Sequence, residues 1–105
     1  MGPSGIDSGA SKKQDLTPKV DLHLHTVNSG HAYSTVEEYA RAAAARGLEA
    51  IAIADHGPAI PGAGHLYHFW NLKVLPRRWH GVWILRSVEA DILDCEGGLD
   101  VPDDV

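Results

Sequence analysis

Val20–His31 reads V-D-L-H-L-H-T-V-N-S-G-H, and this stretch decides the fold. Val20–Leu24 alternates apolar and polar residues with the period of a strand. Asp21, His23 and His25 then share one face, while Val20, Leu22 and Leu24 share the other. The apolar face can be buried. The polar face carries two imidazoles two positions apart, roughly 7 Å between their Cα atoms at a strand's rise. Two neutral imidazoles that close can converge on one metal ion; zinc, for instance, takes His nitrogen at about 2.0–2.1 Å. His31 follows on a loop that Asn28, Ser29 and Gly30 mark as a turn. Three His within nine residues, two of them in register at a strand's end, point to a metal site rather than to a solvated strand end.

Beyond this stretch the chain continues as a βαβ unit. S-T-V-E at Ser34–Glu37 matches a capping box and starts a helix. Val36, Tyr39, Ala40, Ala43 and Ala44 fall at helical spacing as a narrow apolar stripe, and Glu37 and Arg41 form an i,i+4 pair. Gly47 closes the helix. Ala50–Ala54 is a short buried strand that ends in Asp55–His56. Strand, helix, strand with short links predicts parallel strands and a right-handed crossover. Gly57–Gly64 is loop, with two Pro and three Gly. The spacing of Leu66, Phe69 or Trp70, and Leu72 predicts a short helix within His65–Leu75, stopped by Pro76. Val82–Ile92 is the third strand region. Glu96-Gly97-Gly98 is a turn, after which Leu99–Val101 pairs back as a hairpin arm. Residues 1–17 are Gly, Ser, Lys and Asp rich without periodicity and read as a flexible arm outside the fold; residues 18–105 hold the domain.

The composition narrows the class. At 105 residues the chain is one domain at most, with a thin margin of stability. It is 44% hydrophobic and 22% charged, which excludes disordered and fibrous classes. The single Cys95 makes no internal disulfide, so a reducing, cytoplasmic compartment fits. No apolar run approaches the ~18 residues of a membrane span. The net charge of −5 argues against unaided binding to nucleic acid. Charge is uneven: after Arg86 there are seven acidic residues and no basic ones.

The chemistry-bearing residues fall at strand ends. His23 and His25 end the first strand, His56 ends the second, and the third offers Glu89. Ligands of parallel α/β folds bind at the carboxyl ends of strands, so three strands aim metal-type ligands at one rim. His and carboxylate without thiolate suit zinc, manganese or iron. Glu89 can bridge two metals, as in two-metal phosphoester hydrolysis. His65, His68 and His80 read as structural or substrate-side residues, and Trp70, Trp79 and Trp83 as core or loop-packing aromatics. Lys73, Arg77 and Arg78 are candidate contacts to a substrate phosphate, or a solvated charge cluster.

Three motifs carry a family resemblance: H-L-H-T-V-N-S-G-H-A-Y-S-T at His23–Thr35, I-A-D-H-G-P at Ile53–Pro58, and L-R-S-V-E-A-D-I at Leu85–Ile92. Together they resemble the opening motifs of the PHP (polymerase and histidinol phosphatase) metallohydrolases. H-A-Y-S-T, H-G-P and H-F-W-N…P-R are most similar to the YcdX-type phosphatases. The resemblance implies an α/β fold, the N-terminal part of a distorted (β/α)₇ barrel, with a site for up to three zinc ions. On matched positions it implies His23, His25 and Glu89 as ligands of one metal, His31 and His56 as ligands of a second, and Glu89 bridging to a third. It further implies phosphatase activity on a small phosphorylated substrate. The family's later strands supply two more His and a closing Asp-x-His that this chain lacks, so the chain reads as an N-terminal fragment or truncated product. The PHP module of a DNA polymerase and an inactive binding or structural remnant are the alternatives. An open sheet edge and uncovered core are expected, with aggregation as the hazard.

Overall fold

The computed structural model describes residues 17–105. The N-terminal arm therefore lies, except for Thr17, outside the described residues. Strand β1 (Val20–Leu24) leads through a 3-10 turn at Val27–Ser29 to helix α1 (Val36–Ala45). Strand β2 (Ala50–Ile53), the short helix α2 (Tyr67–Asn71), strand β3 (Arg78–Trp79) and strand β4 (Val82–Arg86) follow. The sheet order is β1-β2-β4-β3; β1, β2 and β4 are parallel and β3 is antiparallel to β4. This is a mixed sheet with three parallel strands, the parallel βαβ order that the sequence predicts.

Local chemistry explains the elements. Thr35, not Ser34, caps α1: Glu38 N–H donates to Thr35 Oγ1 at 3.2 Å and Thr35 N–H donates to Glu38 Oε1 at 2.7 Å. S-T-V-E-E holds two overlapping capping boxes, and the later one frees Glu37 to bind Arg41 and His80, each at 3.0 Å. At the other end Gly47 takes φ +76°, Leu48 N–H reaches Ala43 O and Gly47 N–H reaches Ala44 O, a Schellman motif. The expected helix before Pro76 is α2 followed by a 3-10 turn at Leu72–Val74. The β3–β4 hairpin is absent from the sequence reading. Its turn is His80-Gly81, with φ of +53° and +81°, as a type I′ turn requires.

Cross-strand partners point to the same side of a sheet. Ile51 pairs with Ile84, and both are buried under α1 and α2 with Ala40, Ala43, Ile53, Phe69, Leu72 and Val82. Ala50 pairs with Trp83 and Ala52 with Leu85 on the opposite face, where Trp83 and Leu85 are exposed. Trp70 is exposed as well, so of the three Trp only Trp79 packs against the core.

Two strand expectations are corrected. Asp21 pairs with Ile51 and Leu24 with Ile53, so β1 carries one extra residue between them. This bulge turns Asp21 to the helix side with Leu24, where both line a groove with Tyr39, and separates it from His23 and His25. Val20 and Leu22 are exposed rather than buried with Leu24. The third strand stops at Arg86 instead of Ile92, although a single parallel bridge resumes between His56 and Glu89.

Ile53 is fully buried and Leu85 is 44% exposed. Ile53→Ala is expected to lower unfolding free energy by about 3 kcal/mol. Leu85→Ala should change it by less than about 0.5 kcal/mol. Denaturant unfolding of both variants checks the assignment of the two sheet faces.

Candidate metal centre

His23 and His25 flank Leu24 at the end of β1, His56 lies three residues past β2, and Glu89 three past β4. The ladder holds these ends together beyond the strands. Ser87 N–H donates to Ile53 O, Glu89 N–H to Asp55 O, and Gly57 N–H to Glu89 O. Helix α1 is tied in by Tyr39, whose hydroxyl donates to His25 O at 2.8 Å.

The side chains form two groups that share His25: His23, His25 and Glu89, and His25, His31 and His56. In the first, Glu89 Oε1 lies 2.9 Å from both His23 Nε2 and His25 Nε2, which are 3.1 Å apart. Hydrogen bonds alone leave this triangle unsatisfied. If both nitrogens donate to the carboxylate, two N–H groups face each other. If one does not, a lone pair faces an anion. A cation among the three resolves the conflict, because all three then offer lone pairs. Donors about 2.0–2.1 Å from one ion stand about 3 Å apart when they subtend near-right angles at it.

The second group has its own signature. His31 Nδ1–H donates to Ser29 O at 3.2 Å, which leaves Nε2 as the lone-pair nitrogen. That atom sits 3.1 Å from His25 Nδ1. The His56 ring lies 4.5 Å from that of His25 and 5.1 Å from that of His31, and its Nδ1 is buried without a partner. An orphaned imidazole nitrogen beside two further His suits a metal ligand. The His23 hydrogen bond holds the Glu89 carboxyl below its usual range; burial opposes this, and His56 and His25 add to it.

Beneath these side chains lies Asp55, fully buried. Its carboxylate accepts from Thr26 N–H, from Thr26 Oγ1 and Ser29 Oγ at 2.7 Å, and from His68 Nε2 at 2.8 Å. Ser29 Oγ in turn accepts from His56 N–H at 2.9 Å. Asp55 thus sets the Val27–Ser29 turn that holds His31, and the backbone of His56. Gly30 closes the turn at φ +84°, packed so tightly on the Gly62 backbone that a Cβ would overlap it. Sequence reasoning named Asp55 only as the neighbour of His56 and left His68 outside the site. The pairing of Thr26 and Ser29 after one strand with Asp55 after the next was the available signal.

Lys73, Arg77 and Arg78 are not brought to this cluster. Arg78 pairs with Trp83 at the amino end of β4, six residues before Glu89, or about 20 Å at a strand's rise. Its guanidinium lies over the Trp83 ring and donates to Gly81 O. Lys73 and Arg77 line a cleft with Arg86 beside β4, where Lys73 donates to Asp104 O.

Residues 21–94 match the PHP domain. The chain belongs to the PHP family. It is 59% identical over 85 residues to a probable phosphatase of Acetivibrio thermocellus, covering 81% of this chain and 35% of that protein. It is 55% identical over 86 residues to a probable phosphatase of Thermoanaerobacter sp. (strain X514), covering 82% and 35%. A probable phosphatase of Photobacterium profundum is 57% identical over 82 residues, covering 78% and 33%. The chain thus spans about a third of the length of the curated relatives it matches. The two side-chain groups are suited to hold a metal ion. Among the described residues no helix is long and apolar enough to cross a membrane.

Burial pushes the Asp55 carboxyl up, but hydrogen bonds from His68, Thr26 and Ser29 outweigh it and bring the pKa from its ordinary 3.8 to about 2. A depressed carboxyl stabilises the fold above its unfolded pKa and loses that contribution as pH falls through the folded one. The difference corresponds to about 2 kcal/mol. The stability gap between wild type and Asp55→Asn should therefore shrink as pH falls from about 4 to about 2, as denaturant unfolding across that range would show.

Proposed function

We propose that this PHP chain carries part of the centre of a metal-dependent phosphatase, with residues 18–105 forming one portion of its PHP domain. The convergence of His23, His25, His31, His56 and Glu89 at the strand ends supports the reading most strongly. Probable phosphatases among the relatives give it its reaction class. Zinc or manganese suits these nitrogen and carboxylate donors, and iron would also fit. Bound divalent ions would supply Lewis-acid activation of a phosphoryl group and acidify the attacking water.

The chain's own residues have distinct tasks. Four imidazoles must stay neutral to offer lone pairs, so metal affinity should fall in acid. Glu89 brings the negative charge, and the hydrogen bond from His23 holds its carboxyl below the usual range. Asp55 carries charge too, but it is enclosed by donors and serves to aim His31 and His56. The substrate is a small phosphorylated compound. The net charge of −5 disfavours a nucleic-acid partner, and the free, exposed Cys95 suits a reducing, cytoplasmic setting.

Glu89→Gln keeps the size of the side chain but removes its charge. It is expected to lower hydrolysis of an aryl phosphate, assayed with added zinc or manganese, by about 10²-fold or more. Metal content by elemental analysis should fall in parallel. Asp91→Asn, two residues on, should cost far less. Near-normal turnover and metal content in Glu89→Gln would defeat the phosphatase reading at this strand.

A further inference from the structure

The segment after Glu89 folds back on itself for a reason that the ligand set does not explain. Asp94 makes the turn: its Oδ1 accepts from Glu96 N–H and Gly98 N–H, both at 2.9 Å. Leu93 N–H donates to Gly98 O, and Ile92 bridges antiparallel to Leu99. The returning strand delivers Asp100 beside Asp91, to whose carbonyl its N–H donates at 3.1 Å.

There the Asp100 carboxylate makes two different attachments. Oδ1 accepts from Asp91 N–H at 2.8 Å, two residues past Glu89. Oδ2 accepts from Ala59 N–H at 3.0 Å, three residues past His56. One carboxylate thus ties together the two chain segments that carry His56 and Glu89. Gly57, buried and adjacent to His56, lies against the same carboxylate; a Cβ there would fall on both of its oxygens. The absent side chain of Gly57 is what lets Asp100 reach its partners.

We propose that Asp100 is a positioning residue of the metal centre, clamping the loop after His56 to the segment after Glu89 and so setting the separation of these two ligands. His56 Nε2 and Glu89 Oε1 stand 3.8 Å apart, the widest of the three His–Glu89 pairs at the site. They lie past the ends of β2 and β4, joined there by one bridge, whose N–H groups are Glu89 and Gly57. A second tie just beyond that bridge stops the two segments from splaying. The role rests on the metal-centre reading above.

Cobalt(II) is the probe, since its visible absorption reports ligand geometry directly. Wild-type protein is titrated beside Asp100→Ala, Asp100→Asn, Gly57→Ala and the Gly57→Ala/Asp100→Ala double variant. Asp100→Ala and Gly57→Ala should each weaken cobalt affinity by about tenfold and shift the absorption bands, the scale seen when a group supporting a ligand is removed. The double variant should be no weaker than the poorer single, because both changes remove the same clamp. Asp100→Asn keeps the shape and one acceptor, so it should lose less; it carries the test if Asp100→Ala does not fold. A purely structural role would lower the melting temperature and leave the spectrum of the loaded protein unchanged. Wild-type affinity and an unshifted spectrum in the folded Asp100 variants would overturn the clamp alone. Failure of wild-type protein to bind cobalt would overturn the clamp and the metal centre together.

Discussion

A single buried carboxylate organises this chain. Asp55 has no exposure to solvent and receives hydrogen bonds from Thr26, Ser29 and His68. A buried carboxylate without such donors is costly enough to unfold a small domain; with them it becomes a rigid node. The node lies at the end of β2 and draws the turn after β1 down onto it. The Val27–Ser29 turn, the lone-pair nitrogen of His31 and the backbone of His56 all follow from that attachment.

The site and the core compete for the same short strands. β2 has four residues, and its Ile51 and Ile53 are given to the core under α1 and α2. The bulge in β1 resolves a related conflict: it lets Leu24 face the helices while His23 and His25 stand on either side of it, aimed at Glu89. The cost is an exposed Val20 and Leu22, and on the second sheet face Trp83 and Leu85 stay exposed.

Electrostatics divides labour between the two carboxylates. Asp55 is enclosed by hydrogen-bond donors and stays inside the scaffold. Glu89 is 40% exposed at its side chain and faces three imidazoles. Its charge is available for a cation, and the contacts it makes to nitrogen are those that a cation would replace. Asp100 illustrates a third use, binding only backbone N–H groups and acting on the ligands through the chain.

The parallel βαβ order, the gathering of His23, His25, His56 and Glu89 near strand ends and the family were legible in the sequence. Period-2 alternation in Val20–Leu24, the apolar run Ala50–Ala54 and the glycine after α1 are local signals, and local backbone preference creates them. Which of two capping boxes starts α1 was decided by what Glu37 could reach across the fold, namely His80. The bulge in β1 depends on register against β2, so no alternation pattern within β1 contains it. The separation of Arg78 from the cluster depends on the hairpin that carries it to the far end of β4. Composition and spacing thus determined which residues can bind metal and on which strand ends they stand. Only the tertiary structure decided how they are aimed, because aim is set by long-range hydrogen bonds to Asp55 and Asp100 between residues distant in sequence.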